Sequence, residues 1–502
     1  MSYLELFKLV VPETILVVAV LVVLAVDLLV MREQPVRYRL LLGGAITCMG
    51  CVAAFLWLGG SQLQANFPDG AGLLVVDPLT NLVKQVVLAL TVFTVVLSLD
   101  SHFTEHVGEY FALLLLATLG MMFLISSEDV LMIFLSLELL SLSLYILTAF
   151  NKRNIRSAEA ALKYFLFGGM AAAFTLFGLS LLYGLTGATN LHQIADALKG
   201  TAVKSHFIDP LLVLALVMVV AGFGFKIAAV PFHLWAPDAY QGAPTPSAAL
   251  IASGSKVASF FILAKVMMLG FAGVEGSGAW RNFASGWVPL LTVVALGSMV
   301  VGNLVAIVQS SVRRLLAYSA IAQGGYMLLA IIAHDPQTFP SLLYYVATYG
   351  LTIVGAFGVV AVVEENAGDD HLAAFAGLSR RSPVLSFCML IFMLSLAGIP
   401  PLAGFFGKFY LFTTALNADP QHFGLLWLVL LAIGLSAVSL YYYLMVLKQI
   451  YVAEPAAHGP VVAVPFASQV ALTLLALGVV VLGCAPSLLL DTFQAAIRLA
   501  GS

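Results

Sequence analysis

Residues 221–237 read A-G-F-G-F-K-I-A-A-V-P-F-H-L-W-A-P, an apolar stretch that contains one lysine, two glycines and two prolines. Within a membrane, backbone groups freed by glycine or proline are tolerated only where protein or a polar cavity satisfies them. The stretch therefore predicts a broken helix that lines a polar cavity. Residues 400–408 read P-P-L-A-G-F-F-G-K, and both stretches contain the pattern A-G-F-x-x-K.

The composition of the whole chain places both stretches in a membrane protein. Of the 502 residues, 62% are hydrophobic and 9% are charged, whereas a soluble domain carries about 25% charged residues. A water-soluble globule is therefore excluded. The net charge of -3 at pH 7 shows no basic excess, so nothing indicates a nucleic acid as partner.

Hydropathy divides the chain into fourteen apolar segments, each of about the length of one crossing of the bilayer. They are 12–30, 38–59, 76–99, 111–126, 129–150, 158–184, 209–231, 244–270, 287–309, 313–333, 340–363, 383–416, 424–449 and 464–490. These segments are longer than the strands of a membrane barrel and lack their alternation. The predicted fold is an all-α polytopic membrane protein with about 14 transmembrane helices.

The two interrupted segments are the seventh and the twelfth, and such a pair is typical of transporters with an internal repeat. We predict one five-helix repeat over residues 111–270 (helices 4–8) and a second over residues 287–450 (helices 9–13). Because each unit has an odd number of helices, the second is inverted. Residues 1–110 hold helices 1–3, and residues 464–502 hold helix 14.

Lysines and arginines in the connections predict the orientation, because they are enriched on the inner side. With the N-terminus outside, the inner connections hold Arg32, Arg37, Arg39, Lys152, Arg153, Arg156, Arg313, Arg314, Arg380, Arg381 and Lys448. The outer side then holds only Lys8, Lys199, Lys204, Arg281 and Arg498. This bias predicts that both termini lie outside.

Six further lysines lie inside the apolar segments, where a charge costs about 2.5–3.5 kcal/mol at mid-membrane. Lys84 and Lys265 can reach an interface or a neighbouring helix, which favours a structural role. Lys163 lies near the inner start of its segment, so a structural role is also favoured there. The remaining three are deep candidates for function: Lys226, Lys256 and Lys408.

Two other ionisable side chains join these lysines. Glu138 lies well inside the fifth segment, and because a carboxylate cannot extend far, it is paired, hydrated or protonated. Function is favoured over a neutral acid bonded to a serine. His233, between the Lys226 and Lys256 segments, fits a structural hydrogen bond and a proton relay equally well. Separating a carboxylate from a buried lysine releases the lysine's proton, so these residues together suit proton transfer.

Nothing in the sequence indicates a redox cofactor on this chain. Cys48 and Cys51 form a C-x-x-C pattern inside an apolar run, with no second pair and no histidine ligand nearby. Haem-attachment, iron–sulfur and Gly-rich nucleotide motifs are missing from the sequence.

Residues 231–246 read P-F-H-L-W-A-P-D-A-Y-Q-G-A-P-T-P, which resembles the signature of the antiporter-like membrane subunits of respiratory complex I. The form P-D-x-Y-x-G-A-P-T-P is similar to the subunit N family of the proton-translocating NADH:quinone oxidoreductase. Subunits L and M and the Mrp antiporter subunits usually differ at 238–242. Residues 134–142, 314–322 and 398–408 also match, and fourteen spans is the bacterial architecture of this family.

The resemblance implies proton translocation and a role for each buried residue. The implied proton-transfer residues are Glu138 of helix 5, pairing with Lys226 of helix 7, Lys256 of helix 8 as the central relay residue, and Lys408 of helix 12 as the terminal lysine towards the outer half-channel. Lys163 and His233 would be auxiliary relay residues. Gln323 departs from the histidine of many relatives, and a glutamine carries no proton at neutral pH.

The resemblance also implies a multisubunit setting in the bacterial inner membrane. NADH, FMN, iron–sulfur clusters and quinone would be bound by other subunits. Subunits K and M would be neighbours in the bilayer, and the lateral helix of subunit L would contact this chain. Three alternatives stay open: an Mrp-type cation/proton antiporter subunit, a membrane subunit of a hydrogenase or formate-hydrogenlyase complex, and a scaffold that moves no ions.

Overall fold

The computed structural model describes residues 7–60, 72–202, 209–280, 282–418, 424–454 and 462–500, which are mostly α-helical. Lys204 and Arg281, counted above on the outer side, lie outside the described residues. In the described part, twelve helical runs are long and apolar enough to cross a membrane. Numbered as predicted, they are spans 1 (Val11–Val30), 2 (Val36–Gly60), 3 (Pro78–Ser98), 4 (Val107–Ser126), 5 (Val130–Thr148), 6 (Ile155–Thr186), 8 (Thr245–Gly270), 9 (Trp287–Ile307), 10 (Val312–Ala333), 11 (Thr338–Ala367), 13 (Leu426–Tyr451) and 14 (Phe466–Cys484).

Spans 7 and 12 are each built from two short helices. Span 7 consists of helix 7a (Pro210–Lys226) and helix 7b (Trp235–Gly242), and span 12 consists of helix 12a (Pro383–Ala397) and helix 12b (Ala403–Asn417). Pro231 lies in the connection of span 7, and Pro400 and Pro401 lie in the connection of span 12. Because proline cannot donate a backbone hydrogen bond in a helix interior, the helices are interrupted there. The prediction of about fourteen spans with the seventh and twelfth broken is confirmed.

The two A-G-F-x-x-K patterns take opposite positions at these breaks. Residues 221–226 are the last residues of helix 7a, whereas residues 403–408 are the first residues of helix 12b. The prolines explain the difference, because Pro231 follows the first pattern and Pro401 precedes the second. Similar sequence at the two breaks therefore does not mean equivalent position.

Span 8 is also interrupted, at Ser253, between helices Thr245–Ala252 and Gly254–Lys265, and it ends in a π-helix at Val266–Gly270. Smaller elements complete the described part. They are helices Leu191–Ala202, Leu378–Arg381 and Ser487–Ala500, a 3₁₀-helix at Leu372–Phe375, and an antiparallel hairpin of Ser277–Ala279 with Asn282–Ala284.

The spans are arranged as a buried centre and an outer ring. Spans 8, 10 and 11 are almost entirely covered by other helices, whereas spans 1, 6 and 13 have large exposed apolar faces. Large apolar side chains such as Leu29 of span 1, Leu166 of span 6 and Leu430 of span 13 cover those faces, as expected of surfaces that contact lipid or other membrane subunits. Lys256, Gln323 and Tyr345 of the three central spans therefore lie inside protein.

Side chains satisfy the backbone groups that each break leaves free. At span 7, the Val230 amide donates to Ser298 Oγ at 2.9 Å, and the Trp235 indole donates to the Phe225 carbonyl at 2.9 Å. At span 12, the Gly404 amide donates to Ser395 Oγ at 3.1 Å. Both breaks are thus built into the fold, as the constraint on membrane-buried backbone requires.

Candidate functional site: a row of buried ionisable residues

Glu138 and Lys226 line one small cavity between spans 5, 6 and 7. Glu138 is half-buried on span 5, and Lys226, the last residue of helix 7a, is buried. Lys226 Nζ donates to Ser141 Oγ at 2.9 Å, one helical turn beyond Glu138. The cavity measures about 20 Å³, which is room for about one water molecule. The Lys226 ammonium and the Glu138 carboxylate form no direct ion pair, because Ser141 and this small cavity lie between them.

Lys256 lies in the first turn of helix Gly254–Lys265, directly after the interruption of span 8. Its side chain is 2% exposed, and Nζ donates to the Ala320 carbonyl of span 10. The same nitrogen stands 5.5 Å from the centre of the Tyr349 ring. Both partners are neutral, so a proton on this lysine has no counter-charge among its described contacts.

Lys408 binds the end of helix 12a. Its Nζ donates to the carbonyls of Leu396 at 3.0 Å and Ala397 at 3.1 Å, and to Ser436 Oγ of span 13 at 2.8 Å. The last carbonyls of a helix have no partner within the helix and carry its negative partial charge. The break in span 12 therefore provides the acceptors for this lysine. A mostly apolar pocket of about 380 Å³ lies beside Lys408 and is lined by Phe405, Phe409 and Phe412.

A cluster of neutral polar side chains lies between the acceptors of Lys256 and those of Lys408. Gln323 Nε2 donates to the Leu396 carbonyl at 3.0 Å, the oxygen that Lys408 also binds, and to Tyr443 Oη at 3.2 Å. Tyr345 donates to Gln323 Oε1, and Tyr443 is hydrogen bonded to Ser319. Ser319 directly precedes Ala320, whose carbonyl accepts from Lys256, so the cluster begins one residue from the Lys256 acceptor and ends at the carbonyl that Lys408 binds. We call these residues, Ser319, Gln323, Tyr345 and Tyr443, the central bridge.

The two auxiliary candidates lie apart from these contacts. Lys163 is 41% exposed and forms ion pairs with Glu159 at 2.7 Å and with Asp238 at 2.8 Å. Asp238 also pairs with Arg314 at 2.7 Å. His233 lies in the connection between helices 7a and 7b, largely buried, and its Nδ1 has no hydrogen-bond partner among the described residues.

The six lysines of the apolar segments fall into two groups, according to whether the side chain contacts a carboxylate or only neutral oxygens. Lys84 pairs with Glu13 at 2.6 Å, Lys265 pairs with Glu128 at 2.8 Å, and Lys163 has the two carboxylates named above. The other three donate only to neutral oxygens within the described part of the chain: Lys226, Lys256 and Lys408. A carboxylate fixes the charge of a lysine, whereas a neutral partner leaves its proton free to move.

A family model and a curated relative both associate this chain with NADH-quinone oxidoreductases. The family described as "NADH:quinone oxidoreductase/Mrp antiporter, TM" matches residues 127–436, a range that contains Glu138 and all three of these lysines. The chain is 52% identical to NADH-quinone oxidoreductase subunit N 2 of Acidobacterium capsulatum, over 97% of this chain and 98% of that protein.

Solved structures share the fold. A chain of respiratory complex I from Thermus thermophilus with bound aureothin is 33% identical, with a TM-score of 0.77, over 96% of this chain and 98% of that chain. A chain of the Mrp complex from Dietzia is 21% identical with a TM-score of 0.80, over 99% of this chain and 98% of that chain. At 21% identity, the similarity to the Mrp complex chain shows a shared fold alone.

Proposed function

This chain belongs to the subunit N family of NADH-quinone oxidoreductases, and we propose that it moves protons along the row Glu138, Lys226, Lys256 and Lys408. The observation that carries the proposal is the set of three buried lysines with neutral partners. Holding an unpaired charge in a membrane interior is costly, so such a lysine gains or loses its proton when a nearby charge changes. The electron-transfer reactions in other subunits supply that change.

Glu138 and Lys226 form the input of this row. The Glu138 carboxylate and the Lys226 ammonium line the same cavity without direct contact. Their attraction therefore changes when either group moves or changes its charge. If Glu138 is drawn away or neutralised, Lys226 loses its stabilising charge and releases its proton towards Lys256. Ser141 holds the Lys226 side chain in place during this change.

The central bridge connects the second and third lysines. A tyrosine or serine hydroxyl can accept one proton while it donates another, so a hydroxyl chain with water can transmit a proton without holding a charge. Gln323 cannot do this, and its role is to orient Tyr345 and Tyr443. A proton that arrives on Lys256 repels the proton on Lys408, which leaves towards the outer side.

The proposal extends to the setting of the chain. NADH, FMN, iron–sulfur clusters and quinone are bound by other subunits, and no redox group is carried here. Subunits K and M are the neighbours, and the lateral helix of subunit L contacts this chain. The chain lies in the bacterial inner membrane with both termini outside, and residues 111–270 and 287–450 are the inverted repeats. The breaks at spans 7 and 12 support this repeat.

NADH-driven acidification of inverted membrane vesicles tests the proposal. Cells that lack this gene are complemented with the wild-type gene or with Lys226→Ala, and complex assembly and NADH-to-artificial-acceptor activity serve as controls. We expect the wild type to restore pumping and Lys226→Ala to leave it about tenfold lower in an assembled complex, because a proton carrier is lost. Pumping that is indifferent to the gene would refute the assignment and favour cation/proton antiport.

A second prediction concerns the central bridge. Tyr443→Phe removes the hydroxyl that joins Ser319 to Gln323, and we expect pumping several-fold slower than wild type with normal assembly. Tyr344→Phe is the matched control, since its buried hydroxyl donates to the Leu482 carbonyl of span 14 at 2.7 Å and lies outside the bridge. Equal pumping rates in the two variants would exclude Tyr443 from the route.

A further inference from the structure

The face of span 5 that carries Glu138 continues to a third polar side chain, that of Tyr145. Glu138, Ser141 and Tyr145 are spaced by three and four residues, so they share one face of this helix. All three line the small cavity that Lys226 also lines. Tyr145 is buried, and the row described above does not use it.

Span 6 makes room for the Tyr145 hydroxyl at Gly168. A methyl group added at Gly168 would overlap with this hydroxyl and with the ring carbon that bears it. A methyl group added at the neighbouring Gly169 would meet no described atom within 4 Å. The close approach of span 6 to the hydroxyl therefore requires a residue without a side chain at position 168.

Aromatic contacts hold the Tyr145 ring in this position. Its centroid lies 4.7 Å from that of Tyr164 and 5.9 Å from that of Phe165, both edge-to-face. Tyr164 in turn stacks on Trp235 of helix 7b, with 4.1 Å between the ring centroids. The packing of spans 5, 6 and 7 therefore fixes the ring, and with it the direction of the hydroxyl.

The Tyr145 hydroxyl faces the polar atoms of the cavity. It approaches the Ser141 side chain and lies in electrostatic range of Glu138. Ser141 Oγ donates to the Leu137 carbonyl at 2.6 Å and accepts from Lys226 Nζ at 2.9 Å, so one of its two lone pairs is left for a further donor. A buried water needs about two to four polar partners, and the side chains that line this cavity supply them.

We infer that Tyr145 is a positioning residue of the Glu138–Lys226 site: its hydroxyl orients Ser141 and one water molecule between the carboxylate and the ammonium. The inference rests on the proposed function of this pair. Hydrogen bonds to a charged group favour its charged form, and a hydroxyl fixed by ring packing provides them without reorienting. Without this hydroxyl, the response of Lys226 to a change at Glu138 becomes weaker.

Tyr145→Phe in the complete complex tests the inference, because it removes the hydroxyl and keeps the ring. We expect several-fold fewer protons moved per NADH oxidised in inverted vesicles, with normal assembly. Tyr110→Phe is the matched control, since Tyr110 of span 4 is also buried and its hydroxyl is hydrogen bonded to Ser98 at 3.0 Å, away from the row. We expect this control to match wild type.

The pH profile of pumping separates positioning from packing. The titratable groups that face Tyr145 are Glu138 on its own helix, Lys226 on helix 7a and Tyr164 on span 6. We expect the pH range in which Tyr145→Phe pumps to be narrower than that of wild type, because both charges of the site lose a stabilising dipole. Loss of packing alone would lower the amount of complex and leave this range unchanged.

Gly168→Ala perturbs the same hydroxyl from the other helix. Its methyl group takes the place of the hydroxyl, so we expect a several-fold loss of protons per NADH in the assembled complex. Gly169→Ala is the matched control, because its methyl group meets no described atom, and we expect wild-type pumping.

An assembled Tyr145→Phe complex with the wild-type proton ratio and pH range would overturn the inference. So would a smaller amount of complex with a normal ratio, since the tyrosine would then serve packing only. If Lys226→Ala also pumps normally, the proposed function itself fails. If Lys226→Ala loses pumping while Tyr145→Phe and Gly168→Ala do not, only the inference about Tyr145 fails.

Discussion

Replacing Lys256 by methionine is expected to lower NADH-driven proton translocation by about tenfold or more while the complex still assembles. The lysine contacts the Ala320 carbonyl and the Tyr349 ring, both neutral. Its removal therefore leaves no buried charge without a partner, and methionine fills similar space. Proton transfer to Lys408 fails because the contacts described at this point of the row, a backbone carbonyl and a tyrosine ring, do not replace the lysine as proton carrier.

The measurement is the number of protons moved per NADH oxidised in inverted vesicles, with the amount of complex determined on native gels. Lys256→Arg is an informative companion, because arginine keeps the charge but does not release its proton. We expect it to fail as methionine does. A Lys256→Met complex that pumps at the normal ratio would remove Lys256 from the route.

Lys84→Met is expected to produce the opposite result, a large loss of stability with normal pumping in the complex that remains. Lys84 and Glu13 form an ion pair at 2.6 Å in which neither side chain is more than 3% exposed. The ammonium donates to Glu13 Oε1, and Glu13 Oε2 has no hydrogen-bond partner among the described residues. Removing one member of a buried pair costs about 3–5 kcal/mol, because the remaining charge is left unpaired.

Heat treatment of membranes, followed by native gels, measures this loss. The double variant Glu13→Gln with Lys84→Met removes both charges, and we expect it to recover most of the stability. A single variant as stable as wild type would show that the pair contributes little. A stable single variant with reduced pumping would instead place Lys84 among the proton carriers.

The sequence was sufficient to predict the fold at the level of spans and breaks. Long apolar runs and the prolines at 231 and 400–401 carry that information locally. The positions of the A-G-F-x-x-K patterns relative to the breaks were not evident from their likeness. The helix boundary depends on the position of proline, which follows the pattern at 221–226 and precedes the pattern at 403–408.

The charged residues of the candidate site could be selected from the sequence, whereas the side chains and carbonyls that they contact could not. Lys226, Lys256 and Lys408 are conspicuous because charge is rare in these segments. The tyrosines of the central bridge are not conspicuous, since aromatic residues are common in membrane helices. Tyr443 meets Gln323 across 120 residues of sequence, and such a contact depends on tertiary packing. The pair of tyrosines at 344–345 and the three at 441–443 were the available signal.

The most direct test of the account compares Lys256→Met with the Glu13→Gln, Lys84→Met double variant in protons moved per NADH oxidised. Both variants remove a buried lysine, one with neutral partners and one with a carboxylate partner. The account predicts a ratio well below wild type for Lys256→Met and a normal ratio for the double variant. Equal ratios in the two complexes would contradict the claim that the lysines with neutral partners carry the protons.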